Sequence, residues 1–434
     1  MKVTVIGGGS TYTPELVSGL AAQQHRLQVD ELVLMDIDAE RLEVVGEFAK
    51  RMLAHQGSQT RVTLTTDRES AVTDADAVLI QLRVGGQAAR LGDETFPLDC
   101  GCIGQETTGA GGLAKALRTV PVVLDIADEV RRLAKPDAWI IDFTNPVGIV
   151  TRALLNAGHR AVGLCNYAIG VQRWAAALLE VDASRVEVDP VGLNHFSWTR
   201  RILVDGVDAL PGILLDHQEA VLKKYPFPQD LITLLGAIPS YYLQYYYTHD
   251  EVLERLRHET PRATVVAELE RQLLEEYRSP LLTEKPPQLA ERGGAFYSEA
   301  AVDLLASLYS EEETVHVLNV HNNGTIPGLA DDDVIETRCR VSSAGIVPLP
   351  QEPVPPLMLG PIQHVSAYER IAEKAALSGD VDDIRRALLA HPLIGQWAMV
   401  EGLVPRLLET SAAYLPQFAD AVAALAHEPL AHEH

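Results

Sequence analysis

VTVIGGGSTYTPEL, residues 3–16, decides the fold. Its first four residues are apolar or β-branched and read as a strand. Three glycines follow, and then Thr13-Pro14 opens a helical pattern. Gly7 and Gly9 permit a tight turn and let a pyrophosphate approach the backbone, and Ser10 and Thr11 place hydroxyls at the same turn. The N–H groups and the positive end of the next helix then face the anion. The third glycine of the usual dinucleotide fingerprint is missing, and Tyr12 stands there. The next apolar run, ELVLMDID at 31–38, carries Asp36 where a carboxylate binds ribose hydroxyls, which favours NAD over its 2′-phosphorylated form.

Outward from this turn, strand and helix patterns alternate. RVTLTT, DAVLIQLRV, AWIIDFTNP and RAVGLCN are further strands, separated by amphipathic runs such as AERLEVVGEFAKRMLA. This predicts an α/β fold: a Rossmann-type doubly wound parallel sheet, like that of lactate and malate dehydrogenases. The expected NAD-binding domain is 1–166. The remainder, 167–434, reads as a second, α+β and mostly helical domain for substrate, metal and oligomerisation. Within it, EVDPVGLNHFSWTRRILVDG suggests antiparallel strands with a turn at VDGVD, and helices are expected at 229–247, 262–277 and 297–309. Further helix starts are expected near Ser366 and Asp380.

Formal charge is −24 over 434 residues, with no basic stripe, so no nucleic-acid partner is expected. No apolar stretch approaches the ~18–20 residues of a membrane span. The N-terminus runs straight into the first strand, so a cytoplasmic protein is expected. Only four cysteines occur, and Cys100 and Cys102 are too close for a native bridge, so reduced thiols are expected.

Asn145 in FTNPVGIV ends a strand at the carboxyl edge of the sheet, where such folds bind ligands. The same stretch occurs in hydroxy-acid dehydrogenases, but those enzymes follow the next strand with an Asp and an Arg. Here Cys165, Asn166 and Tyr167 follow it. By residue type Cys165 reads as easily as a small buried hydrophobe, and His195 in GLNHFSW as a structural histidine. A thiolate and an imidazole together can also hold a divalent metal with positions open for substrate oxygens.

IGGGSTYTPEL, IQLRVGG, GCIGQETTGAGG, ALRTVP, TNPVGI, GLCNYAIG, GLNHF, ERGGAFYSEAA and NNGTIPGL occur in this order from residue 6 to 329. In these stretches the chain resembles the NAD- and metal-dependent glycosidases of family 4, and most of all their 6-phospho-β-glucosidase branch. In that branch an Asn follows the metal-binding Cys, as Asn166 follows Cys165. Where the branch reads CNVPIG, this chain has Tyr167 and Ala168.

The resemblance implies hydrolysis of a phosphorylated β-glucoside without the usual carboxylate pair. NAD⁺ takes a hydride from C3, a base removes the C2 proton, the aglycone leaves C1, water adds, and the hydride returns. It implies Mn²⁺, or another divalent ion, on Cys165 and His195. The base is expected among the five Tyr of IPSYYLQYYYTHD, with Tyr242 chosen over Tyr241, and Asn166 is expected in the catalytic set. On a helix Tyr242 and Tyr246 would share one face, as would Tyr241 and Tyr245. Arg90, Asn145, Asn166, Glu106 and Arg292 are the expected substrate contacts, with Arg83 a further phosphate candidate, and Asn145 also serves the cofactor. ETTGAGG reads as a flexible wall over the substrate. A homodimer or homotetramer is expected. The competing readings are an NAD-dependent dehydrogenase of a hydroxy acid or sugar, and a non-catalytic NAD or sugar-phosphate sensor.

Overall fold

The computed structural model describes residues 1–293 and 296–427. Six parallel strands come first: β1 (Lys2–Ile6), β2 (Glu31–Met35), β3 (Arg61–Thr65), β4 (Ala77–Ile80), β5 (Trp139–Asp142) and β6 (Ala161–Gly163). Their spatial order is β3-β2-β1-β4-β5-β6, as the alternating pattern predicts for a dinucleotide-binding sheet. β4 and β5 are buried along their whole length, because helices cover both faces. Asp38 caps the helix Ala39–His55 by accepting from the Arg41 N–H at 3.0 Å, so the Asp36 loop is fixed between a strand and a capped helix.

A hairpin follows, with β7 (Val186–Leu193) and β8 (Phe196–Val204) joined by the two residues Asn194 and His195. The chain turns again at Asp205-Gly206 into β9 (Val207–Asp208), within the VDGVD stretch expected to turn. With β10 (Ile238–Pro239) these strands make a second, four-stranded sheet. Then β11 (Thr314–His321), β12 (Val334–Ser342) and β13 (Gly345–Pro348) run antiparallel and join the first sheet beside β6, through Asn319 opposite Gly163. The first sheet thus has nine strands drawn from both halves of the sequence.

Three expectations need correction. Residues 229–247 are not one helix. Gly236, at φ +58°, ends the helix Gln229–Leu235, and the chain passes through β10 into a 3-10 turn at Tyr241–Leu243 before Gln244–Tyr247. Ser366 starts no helix but lies inside Pro356–Ser378, whose start is set by Pro356 at its first position. Asp380 does cap Val381–Ala390. Finally, ETTGAGG is core, not a flexible wall. The helix Gly109–Leu133 begins within it, and a Cβ on Gly111 would lie 2.3 Å from the Asp93 carbonyl oxygen and 2.4 Å from that of Gln105. The glycines there permit close packing.

Arg118 on this helix is fully buried and holds Asp93 with two hydrogen bonds, at 2.8 and 2.5 Å. Its Nε also donates to the Val84 carbonyl at 3.1 Å. Replacing Arg118 by Met leaves a buried carboxylate unpaired, and urea unfolding is expected to show a loss of about 3–5 kcal/mol. A D93L/R118M double variant should recover much of that loss. Among the described residues no helix is long and apolar enough to cross a membrane.

Candidate active site

The proposed nucleotide turn is tightly built. Gly7 and Gly8 donate their N–H groups to the Met35 carbonyl at 2.9 and 2.8 Å. Gly7 has φ +91°, and a Cβ there would meet the Gln81 carbonyl oxygen at 2.8 Å. The Gly9 N–H goes to Asp36 Oδ2 at 2.9 Å, so these donors hold the turn to β2 and its loop rather than facing an anion. Ser10 Oγ accepts from the Tyr12 N–H at 3.2 Å. Thr11 is fully buried, and its hydroxyl has no partner among the described residues; the same is true of Asn145 Oδ1 beyond β5. Two orphaned polar atoms on residues assigned to NAD fit a ligand that would satisfy them. Arg292 lies over the Tyr12 ring at 5.7 Å and pairs with Glu270 at 2.8 Å, next to Arg41, which donates to the Gly9 carbonyl at 3.0 Å. Arg292 is therefore anchored beside the glycine turn.

Glu106 lies among cations. Lys115 Nζ is 2.6 Å and Arg90 Nε 3.2 Å from its carboxylate, and Arg83 forms a third ion pair with it. Burial opposes its charge, but Arg83, Lys115 and Arg90 hold the Glu106 carboxyl well below the usual range. Arg90 also pairs with Glu94 at 2.7 Å. Burial, then Arg83, push the Lys115 amine down to about 7, so Arg83 and Arg90 are the firm cations here, and paired guanidinium groups suit a phosphate.

Next to this cluster, Thr107 Oγ1 is 3.1 Å from His195 Nδ1. His195 sits at the tip of the β7–β8 hairpin with φ +60°, a left-handed conformation uncommon for a side chain of its size. Its ring stacks on Tyr242, with centroids 3.6 Å apart and planes within 10°. Burial pushes the His195 imidazole down to about 3, so it is neutral near pH 7. With Nδ1 hydrogen-bonded, Nε2 remains for another partner. Burial, and then the neighbouring Cys165, push the Tyr242 phenol well above 10. Tyr241 is 46% exposed. Tyr246, on the short α segment that follows this 3-10 turn, pairs its hydroxyl with Thr108 Oγ1 at 3.0 Å.

Cys165 follows β6 and is buried. The Tyr167 N–H, the Asn194 amide and the Tyr297 hydroxyl each favour its thiolate form. Burial, then Glu336, nevertheless push the thiol up to about 12. The thiolate that these neighbours favour is the form in which Cys binds a metal. Among the described residues no three His, Cys, Asp or Glu side chains form a metal cage. His195 stacks on Tyr242, and Cys165 acts electrostatically on the same phenol; a thiol and an imidazole so placed are a donor set that would fit a divalent ion with positions left open for substrate or water. Asn166, which begins the helix Tyr167–Leu179, gives its N–H to the Tyr297 hydroxyl. Tyr297, Asn194, Thr107 and Glu336 were not singled out from the sequence. The first three lie within or beside recognised motifs, whereas Glu336 carried no local signal.

The description "Family 4 glycosyl hydrolase" matches residues 2–181, and its C-terminal domain matches residues 190–394. A probable 6-phospho-β-glucosidase of Bacillus subtilis is 40% identical over 433 residues, covering 96% of this chain and 98% of that protein. The chain belongs to glycosyl hydrolase family 4. This family 4 chain also resembles the 6-phospho-β-glucosidase of Thermotoga maritima, solved with manganese, NAD⁺ and glucose-6-phosphate: 35% identity, TM-score 0.89, and coverage of 95% of this chain and 99% of that one. A malate dehydrogenase from Salinibacter ruber, 18% identical with a TM-score of 0.52 over 89% of this chain and 98% of its own, shares the fold alone. The dehydrogenase-like sheet and the family 4 membership thus agree with the reading from the sequence.

Proposed function

We propose that this family 4 chain hydrolyses 6-phospho-β-glucosides with NAD and Mn²⁺. The observation that carries the reading is the stacking of His195 on Tyr242, a phenol on which Cys165 also acts electrostatically, beside the Arg83 and Arg90 pairs with Glu106. When bound, NAD⁺ accepts and returns the C3 hydride and Mn²⁺ polarises the sugar oxygens at C2 and C3. Gly7, Gly9, Ser10, Thr11, Asp36 and Asn145 are assigned to NAD, and Cys165 and His195 to the ion. Arg90, Asn145, Asn166, Glu106 and Arg292 hold the sugar and its phosphate, with Arg90 placed to grip the phosphate oxygens. Oxidation at C3 acidifies the C2 hydrogen, and Tyr242 takes that proton. Burial keeps its phenol protonated, so it works as a base only beside added positive charge. Residues 1–166 are assigned to NAD binding and also supply Cys165, Arg90, Glu106, Asn145 and Asn166, while 167–434 are assigned the other metal and substrate contacts and those of the oligomer. The working state is proposed to be a cytoplasmic homodimer or homotetramer.

A nitrophenyl 6-phospho-β-glucoside should be cleaved only with NAD⁺, Mn²⁺ and a thiol reductant present, with deuterium from the solvent entering at C2. Cleavage that persists after NAD⁺ is stripped would overturn the reading. Stoichiometric build-up of NADH would identify a net dehydrogenase instead, and tight NAD binding without turnover a sensor.

A further inference from the structure

The two assigned metal ligands lie on different sheets. Cys165 follows β6 of the nine-stranded sheet, and His195 tips a hairpin of the smaller one. We infer that Glu336, together with Asn319, is the positioning residue that locks these two ligands into one constellation. The inference deepens the proposed function and rests on its metal assignment.

Glu336 lies on β12 and is 1% exposed. Its Oε2 accepts from Asn194 Nδ2 at 3.3 Å and its Oε1 from Ser197 Oγ at 3.1 Å. These two partners bracket His195 and Phe196, so one carboxylate grips the hairpin on both sides of the proposed ligand. The left-handed backbone of His195 is costly for a non-glycine residue and persists only where the surroundings fix it. Across the sheet, Glu336 stands opposite Asn319, and Asn319 opposite Gly163. Asn319 Nδ2 donates to the Gly163 carbonyl at 3.4 Å, two residues before Cys165. A single row, Glu336–Asn319–Gly163, therefore joins the hairpin to the strand end. The hairpin's own backbone ladder needs no buried carboxylate, whereas a metal site needs outer groups that fix ligand direction.

The test measures Mn²⁺ affinity of the full chain with NAD present, from the electron paramagnetic resonance signal of free Mn²⁺, and NAD affinity in parallel. Glu336→Ala should weaken Mn²⁺ binding roughly 10–100-fold while NAD binding stays unchanged. Saturating Mn²⁺ should restore most of the turnover, and Glu336→Gln, which keeps one acceptor, should recover part of the affinity. Should Glu336→Ala fail to fold, Ser197→Ala and Asn319→Ala decide the matter, because each removes one link; both are expected to weaken Mn²⁺ several-fold. Unchanged Mn²⁺ affinity in the folded variants overturns this inference alone. A wild-type chain that binds no Mn²⁺ overturns the metal assignment and this inference with it.

Discussion

Tyr242→Phe is expected to lower turnover by about 10²–10⁴-fold, the range typical for loss of a positioned proton-transfer group. The substitution is a narrow one. Phe keeps the ring that stacks on His195 at 3.6 Å, so the imidazole should stay in place. Only the hydroxyl is lost. KM for the phosphoglucoside and the affinities for NAD and Mn²⁺ should therefore change little, and the loss should fall on kcat. Deuterium entry at C2 should fade in step with turnover. Tyr241→Phe, at a position 46% exposed, should leave the rate intact. If Tyr241→Phe is inactive and Tyr242→Phe is not, the proton is taken by the neighbouring phenol and the assignment here is wrong.

Cys165→Ala is expected to have the second large effect. It removes a buried sulfur whose thiolate form the Tyr167 N–H, the Asn194 amide and the Tyr297 hydroxyl favour. Mn²⁺ affinity should fall more than about 100-fold, beyond the range usual for groups that merely orient a ligand. Hydrolysis should disappear with it, and added Mn²⁺ should restore little. The protein should still fold and bind NAD, because the glycine turn is held by β2 and the Asp36 loop, independently of the sulfur. Comparing dissociation constants for Mn²⁺ and NAD between wild type and variant settles the point. Retained Mn²⁺ affinity would return Cys165 to the role of a small buried hydrophobe.

The parallel sheet was legible because its signals are local. Each strand is a short apolar run, each crossover a periodic helix, and six such runs in the first half leave few topologies open. Cys165, His195 and Tyr242 are proposed from short motifs, not from their spacing. The illegible parts depend on contacts across long sequence separations. Nothing near Glu336 marks it as a partner of Asn194, because β12 must first pair with β11, and β11 with β6. The tyrosine segment was misread as helix because its residue types suit one, and the breaks at Gly236 and Pro239 outweighed that preference. ETTGAGG was misread because glycines that permit close packing and glycines that permit motion look alike in a sequence.

The addition of β11–β13 to the early sheet has a consequence for how the protein is made. On the ribosome the six parallel strands emerge first, with β6 as an open border able to pair with any passing strand. That border is covered only when β11 arrives, after the hairpin and several helices have been synthesised. A fragment ending at residue 181 would keep it bare permanently, and is expected to self-associate instead of yielding a free-standing nucleotide binder.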